Sequence, residues 1–210
     1  MALDLEEQEQ LAEAKAFWQR YGNLILTLLT VAALAFSGWQ AWQYWQGRQS
    51  LEASALYESL SKSVRENDAK GVRDASGALL ENYARTSYAP LGALTSARYF
   101  FERGDLRTAR AQLQWVLDKT ASDELRDVAR LRMAAVLLDD KAPDEALKVL
   151  DAKHTDPFAA QFAAARGDVL VAKGQAAEAK AAYKLAIEKA SKNASAFRDS
   201  VQMRLDALGG

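Results

Sequence analysis

The stretch YGNLILTLLTVAALAFSGWQAWQYWQG, residues 21–47, contains 27 consecutive residues without a charged side chain. Arg20 precedes the stretch and Arg48 follows it. A helix rises about 1.5 Å per residue, so roughly 20 apolar residues cross a hydrocarbon core of about 30 Å. The stretch is long enough to span a membrane, and we predict a single transmembrane helix over residues 21–47.

Aromatic side chains lie at both ends of this stretch. Tryptophan and tyrosine favour the interface between lipid and water, because each ring combines an apolar body with a polar group. The pattern predicts that the lipid bilayer surrounds the segment and that six aromatic residues anchor it there: Trp18, Tyr21, Trp39, Trp42, Tyr44 and Trp45.

Two other interpretations of the stretch are a cleaved signal peptide and a buried core helix. Ala33-Leu34-Ala35 offers the small residues of a cleavage site. The charged residues before the stretch are mostly acidic, however, whereas a signal peptide begins with basic ones. The uncharged run also continues past that site. A core helix does not explain aromatic clusters at both ends. Both interpretations fit less well than a membrane span.

The 163 residues from 48 to 210 are enough for one compact domain. The whole chain has a formal net charge of −1 at pH 7, and no basic run with interleaved aromatic residues follows the stretch. We therefore expect no nucleic-acid partner. Basic residues on the two sides of the stretch are too evenly distributed to decide its orientation in the membrane.

Three windows after residue 88 share one pattern. Its positions hold, in order, a small residue, a large apolar residue, a turn residue, a small residue and a large residue. They are occupied by Ala97, Phe100, Gly104, Ala109 and Leu113, then by Ala134, Leu137, Lys141, Ala146 and Leu150, and then by Gly167, Leu170, Gly174, Ala179 and Tyr183. The windows start 37 and 33 residues apart, close to the tetratricopeptide period of about 34.

This pattern predicts the fold class. Small residues let two antiparallel helices approach closely, and larger apolar residues fill the space between helix pairs. We predict an all-α protein with a single N-terminal transmembrane helix followed by a tetratricopeptide-like helical-repeat domain. An irregular helical bundle is the alternative. The expected segments are an acidic tail (1–20), the span (21–47) and the domain (48–210), which comprises a divergent helix-pair cap (48–87), repeats (88–121, 122–154 and 156–192) and a capping helix (195–208).

Helix start and stop signals refine this division. An amphipathic pattern predicts a separate helix over residues 49–67. Gly104 and Gly174 are expected to end helices, because glycine adopts the left-handed backbone of a helix stop without strain. Ser122 and Asp156 are expected to be N-caps, since their side-chain oxygens accept hydrogen bonds from free backbone N–H groups.

We find no pattern typical of an active site. His154 is the only histidine, the chain has no cysteine, and no nucleophile, phosphate-loop or zinc motif is present. We expect His154 to be a surface or capping residue. Asp139, Asp140 and Asp144 lie near one turn, and turn chemistry explains them better than a metal site does. We therefore predict a protein that is not an enzyme, with no catalytic residue, metal, cofactor or small-molecule substrate.

The first helix of each tetratricopeptide pair lines the concave face of such an array. Phe101, Leu138 and Val171 occupy one equivalent position of the three windows. Arg98, Ala135 and Asp168 lie one turn earlier. We predict a groove for an extended or amphipathic segment of a partner or unfolded client. The alternative is that these side chains pack against the final helix or the neighbouring repeat.

The whole layout resembles the ancillary SecYEG translocon subunit family. The resemblance rests on Phe17-Trp18 before the span, Trp39-x-x-Trp42 and Tyr44-Trp45 at its end, and the divergent repeats behind it. Short matching segments are SALY (54–57), GAL (92–94), ARAQLQ (109–114) and GDVL (167–170).

The resemblance implies a bacterial inner-membrane protein with a cytoplasmic N-terminus and a periplasmic C-terminal domain. It also implies association with the SecYEG translocon and with a PpiD-type periplasmic chaperone, and assistance to exported client proteins. The family brings no catalytic residue. An envelope scaffold for division or wall-synthesis machinery is the alternative function, because such repeats serve many partners.

Overall fold

The computed structural model describes the backbone of residues 2–209 and the side chains of residues 9–209. Every regular element in that range is helical, which confirms the all-α prediction. The chain divides into two compact units, Met1–Gln49 and Ser50–Gly210. The helices are α1 (Ala2–Arg65), α2 (Ala69–Asn82), α3 (Tyr88–Phe101), α4 (Leu106–Lys119), α5 (Asp123–Asp139), α6 (Pro143–Leu150), α7 (Ala159–Ala172), α8 (Ala176–Lys189) and α9 (Ser195–Ala207), with a 3₁₀ turn at Asp156–Phe158.

Helix α1 runs without a break from the N-terminal tail through the apolar stretch to Arg65. The expectation of a separate helix over residues 49–67 is therefore wrong. Gly38 and Gly47 are interior to α1, where each glycine costs only about 0.5–1 kcal/mol relative to alanine. Strong helix formers on both sides outweigh that cost. The side chains of residues 1–8, which include part of the predicted acidic tail, lie outside the described residues.

Helices α3 to α8 pack as antiparallel pairs in chain order. Helix α3 contacts α4, α5 contacts α6 and α7 contacts α8. The first helices of successive pairs also contact each other, α3 with α5 and α5 with α7. They therefore form one layer, as the tetratricopeptide pattern requires.

The small residues of the repeat pattern lie where paired helices meet. Five alanines at these positions are at most 1% exposed: Ala97, Ala109, Ala134, Ala146 and Ala179. Gly167 packs so closely on the Tyr183 ring that a Cβ atom would clash with it. These positions need small residues because the helix backbones approach closely there.

Each of the three pairs turns at one residue with a left-handed backbone. The φ angle is 76° at Gly104, 61° at Lys141 and 75° at Gly174. In each turn, the N–H of this residue donates to the carbonyl three residues earlier, and the following N–H donates to the carbonyl five residues before it. These bonds satisfy carbonyls that would otherwise be unpaired at the helix end.

The predicted cap contains the same turn. Asn67 has a φ of 61°, its N–H donates to the carbonyl of Val64, and the next N–H donates to the carbonyl of Ser63. Asparagine tolerates this conformation better than most residues do. Leu60 and Val72 are fully buried at positions where the other windows have glycine or alanine. The end of α1 and α2 thus share the turn of the three repeats, and the larger residues explain why the sequence pattern gave this helix pair as divergent.

The segment before α7 differs from the expectation. Ser122 is an N-cap, since its Oγ accepts the N–H of the third α5 residue at 3.2 Å. Asp156 is not, because it is itself the first residue of the 3₁₀ turn and α7 begins only at Ala159. The cause is a tertiary contact. The N–H and Oγ1 of Thr155 donate to the buried Asp127 carboxylate at 2.8 Å and 2.9 Å, which fixes the chain before the turn.

The left-handed turns predict that substitutions at two equivalent positions, 141 and 174, change the free energy of unfolding in opposite directions. Gly174→Ala should lower the free energy of unfolding by about 1 kcal/mol, because a Cβ atom strains this backbone conformation. Lys141→Gly should not lower it and should raise it by up to about 1 kcal/mol, because it removes the same strain. Urea denaturation of the detergent-solubilised protein, followed by circular dichroism, measures both. A loss of stability in both variants would contradict this account.

Candidate protein-binding surfaces

The apolar stretch of α1 exposes its side chains within the unit Met1–Gln49. The helix is long and apolar enough to cross a membrane, and none of its apolar window is buried. The six aromatic anchor residues are between 41% and 69% exposed. Tyr21 and Trp39 are 18 residues apart, which corresponds to about 27 Å along a helix and approaches the thickness of the hydrocarbon core. The geometry suits a helix that meets lipid on its sides.

A pocket of about 350 Å³ lies between the first helices of two successive pairs, α3 and α5, and reaches Leu113 of α4. We call it the Arg132 pocket. Its walls include Arg98, Phe101, Leu113, Arg132, Ala135 and Val136. Leu113 and Val136 are buried, Phe101 is half-buried, and Ala135 is exposed. The walls are therefore mostly apolar, and the charged side chains among them are those of Arg98, Glu102 and Arg132.

Three charged side chains line the Arg132 pocket. Arg98 donates from Nε to Glu102 at 2.7 Å, and both side chains are largely exposed. Arg132 is half-buried and donates from Nη1 to the backbone carbonyl of Leu94 at 2.8 Å. Burial lowers the pKa of Arg132 from its ordinary value, and the nearby charge of Arg98 lowers it further. No carboxylate in the described part of the chain forms an ion pair with Arg132.

The structure brings three of the residues on the predicted groove face to this pocket: Arg98, Phe101 and Ala135. Leu138 is half-buried and packs against the main core, while Val171 is 40% exposed at the end of α7. Arg132 was not among the predicted groove residues. Arginine on a helix is usually solvated, so nothing in the pattern distinguishes Arg132 from other surface arginines.

Asp168 binds the last helix and does not line the Arg132 pocket. Its carboxylate accepts two hydrogen bonds from Arg204 of α9, at 2.8 Å and 3.0 Å, and one from the hydroxyl of Tyr183 at 2.8 Å. Burial raises the pKa of Tyr183, and the hydrogen bond to Asp168 raises it further. On α9, Val201 and Leu205 are buried beside Tyr183 in one apolar cluster. For Asp168, this placement matches the packing alternative.

The polar residues considered for chemistry make ordinary structural contacts. His154 is half-buried, and its ring stacks on Phe162 with 4.4 Å between ring centres. Asp144 pairs with Lys173 at 2.6 Å. Among the described residues, no three histidine, cysteine or carboxylate side chains converge as metal ligands do. These side chains hold helices and loops together.

Comparison with known proteins gives the family. A family model described as "Tetratricopeptide repeat-like domain" matches residues 15–210. An ancillary SecYEG translocon subunit of Neisseria gonorrhoeae is 31% identical over 209 residues, which cover 99% of this chain and 100% of that protein. The chain belongs to the ancillary SecYEG translocon subunit family. Members from Haemophilus influenzae and Escherichia coli K12 are 29% and 31% identical, over 91% and 74% of this chain and 93% and 74% of their own lengths.

The role of Asp168 gives a prediction that separates a cap contact from a groove contact. Asp168→Ala should lower the free energy of unfolding by about 1–2 kcal/mol, because it leaves the buried Tyr183 hydroxyl without its acceptor. Asp199→Ala, at an exposed carboxylate on α9, is the control and should change it by no more than about 0.5 kcal/mol. Urea denaturation measures both. Unchanged stability together with loss of crosslinks to partner proteins would instead make Asp168 a groove residue.

Proposed function

We propose that this chain is a membrane-anchored protein-binding module that serves as an ancillary subunit of the SecYEG translocon. One observation carries the proposal: the similarity to a family member with that name extends over 99% of the chain and so includes both the apolar helix and the repeats. A match to the repeats alone would support only the fold, because tetratricopeptide-like domains serve many functions.

The family membership and the single apolar helix support a single-pass protein of the bacterial inner membrane. We propose that residues 1–20 lie in the cytoplasm and residues 48–210 in the periplasm. The orientation rests on the family resemblance, because the distribution of lysine and arginine around the helix does not decide it. In this orientation the repeats face polypeptides that have crossed the membrane.

We also propose that the repeat domain links the translocon to a PpiD-type periplasmic chaperone and assists newly exported client proteins. The support is the resemblance together with the repeat architecture, which binds protein segments on its helix surfaces. Anchoring confines the domain to the membrane surface, so its effective concentration near other membrane proteins is high. Weak contacts with partners are then sufficient. The proposed function needs no catalysis.

The proposed orientation is tested by protease accessibility. Protease added to spheroplasts should digest residues 48–210 and leave a tag at the N-terminus intact. In inside-out vesicles the result should be reversed, with the tag removed and the domain protected. A domain that survives in spheroplasts would show that the orientation is the opposite.

The proposed partner is tested by co-purification from detergent-solubilised membranes. The intact protein should retain translocon subunits and a membrane-anchored periplasmic chaperone. A matched variant, in which an unrelated single-span helix replaces residues 21–47, shows whether the span or the repeats carry each contact. Recovery of division or wall-synthesis proteins without translocon subunits would favour the envelope scaffold.

A further inference from the structure

The guanidinium of Arg132 is a half-buried charge whose position the fold alone does not explain. An arginine side chain has five N–H donors, and in the described part of the chain Arg132 uses one of them, on the carbonyl of Leu94. The group stays charged at neutral pH even with a lowered pKa. The other guanidinium N–H groups of Arg132 are not among the buried polar atoms that lack a partner, so they remain accessible from the pocket. Buried arginines are usually paired with a carboxylate, and Arg132 is not. The packing of α3 against α5 thus maintains a charge that the chain itself does not neutralise.

Two other pockets of the repeat domain lack a half-buried charge without a carboxylate partner. In the polar pocket around Asp127, the carboxylate of Asp127 is already bonded to Arg130 and Thr155. A second apolar pocket, beside Trp115, has Arg85 and Lys119 at its edge, but neither is buried. The Arg132 pocket alone, of these three, combines apolar walls with a half-buried charge.

We propose that the Arg132 pocket binds a segment of a partner protein in which an acidic side chain lies next to an apolar one. The proposal rests on the proposed protein-binding function and adds the chemistry of the segment. The carboxylate would accept hydrogen bonds from the free N–H groups of Arg132, and the apolar neighbour would contact Phe101 and Ala135.

Charge complementarity supports an acidic occupant. Arg98, Arg132 and Glu102 give the pocket a net charge of +1, and Glu102 is already engaged by Arg98. A single carboxylate balances this charge. A charge-assisted bond to arginine in a half-buried site is about twice as strong as a neutral hydrogen bond.

The shape and walls of the pocket favour an internal protein segment. A volume of about 350 Å³ is near the lower end of the range of ligand pockets, about 300–1,000 Å³. An internal segment can supply apolar side chains on both sides of its acidic residue, whereas a chain terminus can supply them on only one. Apolar contact with Phe101, Leu113 and Val136 then adds affinity that a free anion lacks.

The test uses the full-length protein in lipid nanodiscs and a displayed library of random nine-residue peptides fused at their C-termini. Only side-chain carboxylates are available in such a library. The wild-type protein should select peptides in which aspartate or glutamate adjoins a large apolar residue. Arg132→Gln should lose the acidic preference. Arg107→Gln, at an exposed arginine of α4 outside the pocket, should keep it.

Affinities for one selected acidic peptide and its amide counterpart then make the test quantitative. Arg132→Gln should weaken binding of the acidic peptide by about 10- to 100-fold and leave the amide peptide nearly unchanged. Glu102→Gln should tighten binding of the acidic peptide by about 2- to 5-fold, because it removes a negative charge from an exposed position. Ala135→Glu, which keeps all arginines and changes an exposed wall residue, should weaken it.

Glu102→Gln and Ala135→Glu alter exposed residues, so their result does not depend on whether Arg132→Gln folds normally. The proposal fails if no peptide is selected, if the acidic preference persists in Arg132→Gln, or if both exposed-site variants leave the affinity unchanged. It also fails if vesicles of phosphatidylglycerol displace the peptide from wild type, because the pocket would then recognise lipid. Translocon co-purification that persists in any of these cases would leave the proposed function intact.

Discussion

The repeat domain depends on a backbone constraint that recurs at the end of each first helix. One residue in the left-handed conformation reverses the chain, and two hydrogen bonds from the turn satisfy helix-end carbonyls. The tight reversal brings the two helices of a pair together over small residues. Close pairs can then stack through their first helices, and this stacking creates the Arg132 pocket between α3 and α5.

Residue identity at this turn explains how far the sequence revealed the fold. Gly104 and Gly174 mark the turn directly, because glycine adopts positive φ without strain. Lys141 and Asn67 adopt the same conformation without that signal. The spacing of the alanines around Lys141 still allowed its repeat to be recognised from the sequence. Around Asn67 the residues Leu60 and Val72 replace the small ones, so the first pair looked divergent although its turn is the same.

The candidate site was less predictable than the fold, because it depends on contacts between repeats. Repeat position places Phe101, Leu138 and Val171 at equivalent points of their helices, but the packing of each helix end differs. Asp168 lies beside α9, so its carboxylate is taken by Arg204. Arg132 lies beside α3, so its guanidinium is half-buried without a carboxylate. A helical sequence pattern predicts on which face of its helix a residue lies. It does not predict which charged side chains the adjacent helix brings to that residue.

An anchored domain places different demands on its binding surface than a soluble one does. A chain that diffuses freely needs high affinity to find a rare partner, whereas a span confines this domain to the surface where its partners lie. A pocket with one net charge and a few apolar walls gives modest affinity and rapid release. Rapid release suits the proposed contact with many exported chains in succession. A carboxylate of this chain paired with Arg132 would remove the selectivity for acidic segments, so the unpaired charge of Arg132 supports a function in binding.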